Sequence, residues 1–289
     1  MGRDAFSQYH PLTNFLFFVG AIGFCVVFQH PAYLAVGIGG AAVYYLLLHG
    51  RVGLHRLMGM LPVFLVVSGL NPLFNHYGSR ALFTVFGKPY TLEALYYGMA
   101  LGAMFVGMLL WFGCYSAVLT SDKFVCLFGS LIPSLSLLLV MILRMIPNLT
   151  RRAGEIAAAR KCIGKGLGEG ATNREKISGG LKQLSALTDW ALEGSILTAD
   201  SMRSRGYGSA KRTSFQIYHL CWRDWVLMAL MGVLAALVIG LGGTQASYTP
   251  KLWIPQPGWG LVCYGVYVLI PAAVHLQEEL KWRIFVSRI

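Results

Sequence analysis

The sequence predicts an all-α fold: a polytopic helical membrane protein of about six spans that carries a helical platform on the cytosolic side. Three observations predict it. First, 56% of the 289 residues are hydrophobic and only 12% are charged, where a soluble domain carries about 25% charge, and the mean hydropathy is +0.58. Second, the apolar residues gather into long uncharged runs. Third, the stretch Asn148 to Leu220 holds 12 of the 24 Lys and Arg in 73 residues, accompanied by six acids. A basic segment between apolar runs belongs in the cytoplasm by the positive-inside bias.

In chain order, Leu12 to Phe28 and Ala32 to Leu48 are uncharged runs of 17 residues each, separated by His30-Pro31. That is the short end of what crosses a bilayer. The first run follows Arg3 and Asp4, and no small-x-small site comes after it, so it reads as a retained span rather than a cleaved signal. Arg51, His55 and Arg56 read as a polar loop, and Leu57 to Phe74 as a third span. The segment Asn75 to Thr91 is polar and turn-rich. Ala94 to Leu119 is a long fourth span in which Gly98-x-x-x-Gly102, with Ala103 and Gly107, offers a small-residue face for close helix packing. Trp225 to Gly242 is a fifth span, with Gly232, Ala236 and Gly240 on one face, and Gly258 to Leu276 is a sixth. A basic tail, Lys281 to Ile289, follows.

Phe124 to Ile146 admits two readings. Its apolar content suits a span, whereas Pro133, the serines around it, Arg144 and Pro147 suit an interfacial helix, a break near Pro133 and a second helix. With this stretch on the cytosolic side and the N-terminus inside, 21 of the 24 cations lie inside and only Arg80, Lys88 and Lys251 outside. The spanning alternative leaves about 19 inside, so charge prefers the first arrangement weakly.

Within the platform, Thr172 and Glu175 match a capping box. Ile177, Leu181, Leu184, Leu187 and Ala191 follow at helical spacing, continued by Leu192, Ile196, Ala199 and Met202. Gly206 and Gly208 stop this helix just after Arg203 and Arg205. An earlier helical run, Ile156 to Ala159, leads into Arg160-Lys161, with Gly164 and Gly166 beyond. Two helices thus end in an arginine followed by glycines. A cation at a helix C-terminus is favourable on dipole grounds alone, by about 0.3–1 kcal/mol. The matched pair on one platform further suggests docking, because a guanidinium fork engages carboxylates bidentately.

Several function classes lack their signatures. Gly164-Lys165-Gly166 has neither the spacing nor the Ser/Thr of a P-loop, so no ATP site is expected in this chain. The six expected spans carry no Asp, Glu, Lys or Arg, the usual mark of ion-coupled carriers. No H-E-x-x-H or G-x-S-x-G occurs. The six cysteines are scattered without a C-x-x-C pair, so neither zinc nor thiol redox chemistry is indicated. The +12 net charge suits loops beside anionic lipid, and no nucleic-acid recognition signature accompanies it. No cofactor or metal is expected in the chain.

The motifs resemble those of energy-coupling factor (ECF) transporter T components. Met202-Arg203-Ser204-Arg205-Gly206-Tyr207-Gly208 is similar to the family's Ala-Met-x-Ala-Arg-Gly-Tyr signature. Asn71-Pro72-Leu73-Phe74-Asn75-His76-Tyr77-Gly78 resembles its Asn-Pro-Leu-Phe-x-His-Arg-Gly segment, and Arg144-Met145-Ile146-Pro147-Asn148-Leu149 its Arg-x-Ile-Pro-x-Leu run. Ala159-Arg160-Lys161 falls where the family has its first Ala-Arg-Gly. Lys161, Ser204 and Tyr77 depart from the family's glycine, alanine and arginine, and Lys161 moves the expected helix ending to Gly164.

The resemblance implies a non-catalytic membrane scaffold that links two ABC-type ATPases to a small substrate-binding membrane subunit. ATP would be bound by the ATPases. Ala159, Arg160 and Lys161, and Ser204, Arg205 and Gly206, would be the ATPase-coupling residues at the ends of two coupling helices. The cargo would be a vitamin or a metal ion such as cobalt or nickel, selected by the small subunit. Expected regions are N-terminal spans over 1–121, a cytosolic coupling-helix region over 122–221, and C-terminal spans with a basic tail over 222–289. The expected setting is a prokaryotic cytoplasmic membrane, multi-pass in lipid, with both termini cytoplasmic. The alternative is a membrane-embedded enzyme acting on a phosphorylated or lipid substrate.

Overall fold

The structure, a computed structural model, describes residues 5–75, 81–85, 88–129, 133–164, 172–209, 218–243, 253, 255–256 and 258–286. Its helices are α1 (Pro11–Val27), α2 (Pro31–Met58), α3 (Leu61–Phe74), α4 (Leu92–Val118), α5 (Ser121–Gly129), α6 (Pro133–Cys162), α7 (Asn173–Ser204), α8 (Trp222–Gly240) and α9 (Gly260–Val286). One antiparallel hairpin, β1 (Ala81–Val85) with β2 (Lys88–Thr91), lies in the segment expected to be turns, with Phe83 opposite Tyr90. Among the described residues, the fold is all-α apart from that hairpin. Among the described residues, four stretches are long and apolar enough to cross a bilayer: Pro31–Phe74, Leu92–Val118, Trp222–Gly240 and Gly260–Val286. Pro11–Val27 is a shorter apolar helix. The protein is a polytopic helical membrane protein, and large apolar side chains such as Leu65, Val66, Val233 and Ile239 are exposed on its helices.

The chain forms two compact units, Met1–Phe124 with Tyr218–Ile289, and Val125–Ile217. The first unit contains α1 to α4, α8 and α9. Its core is aromatic: Phe17 meets Trp111 edge-on at 5.6 Å and stacks on Tyr267 at 5.3 Å. The Tyr267 hydroxyl donates to the Phe17 carbonyl at 3.1 Å, so the phenol's polar tip is satisfied inside the apolar core. Two His-Pro pairs begin α1 and α2 in the same way. His10 Nδ1 accepts from the Leu12 N–H at 3.2 Å, and His30 Nδ1 accepts from the Ala32 N–H at 3.1 Å. Each imidazole caps a first turn whose next position is a proline, where the missing N–H costs nothing.

The small-residue face of α4 is a packing seam. A Cβ on Gly98 would lie 2.6 Å from the Ser68 carbonyl oxygen, and one on Gly102 would lie 3.2 Å from Phe64, so α3 approaches α4 at backbone distance. Gly107 extends the seam to Cys25 of α1 and Ile38 of α2. By contrast, Gly232 and Gly240 of α8 meet nothing within 4 Å, so among the described residues that small-residue face is not a seam.

Two expected breaks lie elsewhere. Arg51, His55 and Arg56 do not form a loop; α2 continues to Met58, and its direction changes at Gly50, which takes φ 56° and ψ −138°. Only a residue without a Cβ enters that conformation readily. Pro147 likewise does not end a helix. α5 is described as Ser121–Gly129, and α6, described from Pro133, runs unbroken through Pro147 to Cys162. The Thr150 hydroxyl donates to the Pro147 carbonyl at 2.8 Å in the turn that follows. The break expected near Pro133 falls on residues 130–132, which lie outside the described residues; from Val125 onward the stretch belongs to the second unit.

Buried Lys123 closes the end of α4. Its ammonium donates to the Val118 carbonyl at 3.0 Å, to the Ser7 hydroxyl at 2.7 Å and to the Ser7 carbonyl. This meets one of the orphan carbonyls at a helix C-terminus with a full positive charge.

Candidate functional site

The second unit is built on a helical hairpin. α6 and α7 run antiparallel, held by three polar contacts in order along α7. Arg160 Nη1 donates to the Gly179 carbonyl. Gln183 Nε2 donates to the Ala153 carbonyl at 2.7 Å. The Arg152 guanidinium lies 5.0 Å from the centroid of the Trp190 ring, within cation–π range. Gly179 is the one buried residue among those of α7. The Gly179-Gly180 pair inside an amphipathic helix was the available signal for close approach by a second segment.

α7 starts as expected. Glu175 Oε2 accepts from the Thr172 N–H and from the Thr172 hydroxyl, both at 2.9 Å. These hydrogen bonds hold the Glu175 carboxyl below the ordinary carboxylate range, the main-chain bond first. The expected apolar stripe is mostly exposed within the chain: Ile177, Leu181, Leu184, Leu192 and Ile196 all face outward.

The two arginine endings are not alike. α7 closes in a Schellman motif: the Tyr207 N–H donates to the Met202 carbonyl at 3.0 Å, and the Gly206 N–H to the Arg203 carbonyl at 3.0 Å. Gly206 takes φ 81°, and Arg205 stands directly before it as the cap residue. Arg205 is exposed and has no ion pair among the described residues. Ser204, also exposed, donates from its hydroxyl to the Ser201 carbonyl at 3.0 Å.

α6 ends later than its arginine. Gly164, at φ 72°, is the left-handed residue, and its N–H donates to the Lys161 carbonyl at 3.1 Å. Arg160 therefore lies one helical turn inside the end, with its guanidinium turned onto α7. Ala159 and Lys161 are exposed. Gly166 lies outside the described residues. So do His76, Tyr77 and Gly78 of the Asn-Pro segment, whose earlier part forms the last turn and cap of α3, with Pro72 buried and the Asn75 N–H on the Asn71 carbonyl at 2.9 Å.

From Gly179, where Arg160 sits, to Arg205 is 26 residues of one helix. At 1.5 Å per residue the two endings stand roughly 39 Å apart along the α7 axis. Each end adds arginine to the negative pole of a helix dipole, and each offers hydrogen-bond donors suited to carboxylates. Among the described residues, no group of three or more His, Cys, Asp or Glu is placed to hold a metal ion. No protein-family model matches the chain, and no curated protein matches it.

Proposed function

We propose that this chain is the transmembrane coupling subunit of an ECF-type ABC importer. In this role it transmits the motion of two ATPase subunits to a separate substrate-binding membrane subunit that takes up a vitamin or a metal ion. The observation that carries the reading is the spacing of the two arginine-bearing ends on one α6–α7 hairpin, roughly 39 Å apart. Two separate globular subunits can each reach one end at that distance. The order of the four resembling motifs supports the same reading, as does the setting of a basic helical unit in a chain of apolar helices. Arg160 and Arg205 are the docking cations, flanked by Ala159 and Lys161, and by Ser204 and Gly206.

ATP binding draws the two ATPases together, the two helix ends follow them, and the exposed apolar face of α7 passes the motion to the substrate subunit. The test is affinity purification of the tagged chain from its native membranes in mild detergent, with mass spectrometry of what accompanies it. Two ABC ATPases and a small hydrophobic protein are expected, and an Arg160→Glu/Arg205→Glu double variant should lose the ATPases. A well-expressed chain that purifies alone would overturn the proposal in favour of the membrane-enzyme alternative.

A further inference from the structure

We propose that the Arg160 guanidinium is a switch between two acceptors: it holds the Gly179 carbonyl while the chain is free, and it passes to a carboxylate of the docking subunit, which releases the N-terminal end of α7 from α6. The inference rests on the scaffold reading above and adds to it a moving part within this chain.

Four observations carry it. The acceptor is a neutral carbonyl that takes a single N–H, whereas a carboxylate adds an opposite charge and can accept two parallel N–H bonds from the same guanidinium. The fork has five N–H donors, of which the Gly179 carbonyl takes one of the two on Nη1, and among the described residues no other side-chain bond of Arg160 engages the rest. Arg160 is half-buried rather than enclosed, which leaves it open to that approach.

The fourth is order along the hairpin. The Arg160–Gly179 contact is the outermost of the three polar links, nearest the start of α7, with Gln183–Ala153 and Arg152–Trp190 further in. Breaking the outermost link leaves the other two as a pivot. The freed segment, Asn173 to Gly179, carries exposed Ile177, the first residue of the apolar stripe. Docking at Arg160 therefore moves the start of that stripe without unpacking the hairpin. Arg205, which makes no ion pair among the described residues, has no such clamp to release. The two docking ends then differ in consequence: one anchors, the other anchors and unlocks.

The test measures two spin-label distances in the full chain, with its native cysteines replaced by serine. One pair, Ala158→Cys with Lys176→Cys, brackets the clamp, and the other, Gly154→Cys with Ala186→Cys, brackets the pivot. Each pair is measured with the co-purified ATPases bound and again after they are stripped. The clamp distance should lengthen on ATPase binding by about 5 Å, of the order of one helical turn, while the pivot distance stays unchanged. With Arg160→Ala added, the clamp distance should already be long in the stripped chain and should not lengthen further. ATPases that bind with no change at the clamp pair overturn the switch and leave the scaffold reading intact. If no ATPase co-purifies, the scaffold reading fails, and the switch fails with it.

Discussion

Arg160 of α6 is tied to the main-chain carbonyl of Gly179 in α7, so the arginine that resembles a docking residue also holds the hairpin that presents it. Gly179 is the buried residue of α7. Arg205 at the other end of α7 has no comparable tie among the described residues; its position is set by the backbone of the Schellman turn instead. One arginine-bearing end is thus held by a side chain and the other by helix-capping geometry.

Arg160→Ala should loosen the start of α7. A hydrogen bond to a charged donor is worth about 1.5–3 kcal/mol when buried, and half-exposure reduces this to about 1 kcal/mol. Amide hydrogen exchange at Gly179 and Gly180 should speed up about fivefold, with little change at Trp190. Equal protection in the variant and the parent would show that the contact contributes nothing.

Arg205→Glu should abolish uptake and ATPase co-purification while the protein stays in the membrane at its normal level. Gly206→Val gives an independent check, because φ 81° costs a β-branched residue about 1–2 kcal/mol. That variant should fray the last turn of α7 and weaken ATPase recovery while keeping the arginine. Normal uptake by Arg205→Glu would remove the docking role from this end.

Gly98→Leu should destabilise the membrane unit, since even a Cβ there meets the Ser68 carbonyl oxygen at 2.6 Å. Overpacking of this kind costs about 1–3 kcal/mol, read as a lower unfolding temperature in detergent. Gly232→Leu is the matched control on α8: nothing lies within 4 Å of that glycine, so its stability should hold.

Lys123→Met should cost more than a surface lysine does. It removes a buried ammonium from the Val118 carbonyl and from both Ser7 groups. Leaving those acceptors unmet costs about 1–3 kcal/mol. Thermal unfolding followed by size-exclusion should show the loss, and Lys161→Met, on an exposed position, should not.

The cap of α7 should respond to acid. Glu175 has its carboxyl lowered by the Thr172 hydrogen bonds, so its contribution is present above the ordinary carboxylate value and is lost as pH falls through the lower, folded value. Protection of the first-turn amides of α7, measured against their intrinsic exchange at each pH, should fall as the pH drops below the ordinary carboxylate value, and Glu175→Gln should weaken this step. An unchanged acid profile in that variant would place the titration on another group.

Much of the helical layout is legible residue by residue. The Thr172–Glu175 box starts α7, Gly206 stops it, and the shift from Lys161 to Gly164 ends α6 where the substitution of the family's glycine implies. The glycines of α4 read correctly as a seam, but the same spacing on α8 meets no neighbour. Spacing shows that a face is small, not what lies opposite it. Pro147 and the Arg51–Arg56 stretch misled for a related reason. A proline or a charged stretch weakens a helix locally, by an amount that the surrounding helix can absorb.

The amino-acid order alone settled the class of the molecule and the ends of its basic helices. Hydropathy over twenty residues and capping within four act through near neighbours, which are written side by side. The approach of Gly98 to Ser68, the closing of Lys123 onto Ser7, and the turn of Arg160 onto Gly179 were set by the folded chain. Each pairs groups 19 to 116 positions apart, and only packing brings such groups within reach. Arg160 and Arg205 look equivalent in the sequence because each follows a helix and precedes glycines. They differ in the structure because α7 passes beside one of them and ends at the other.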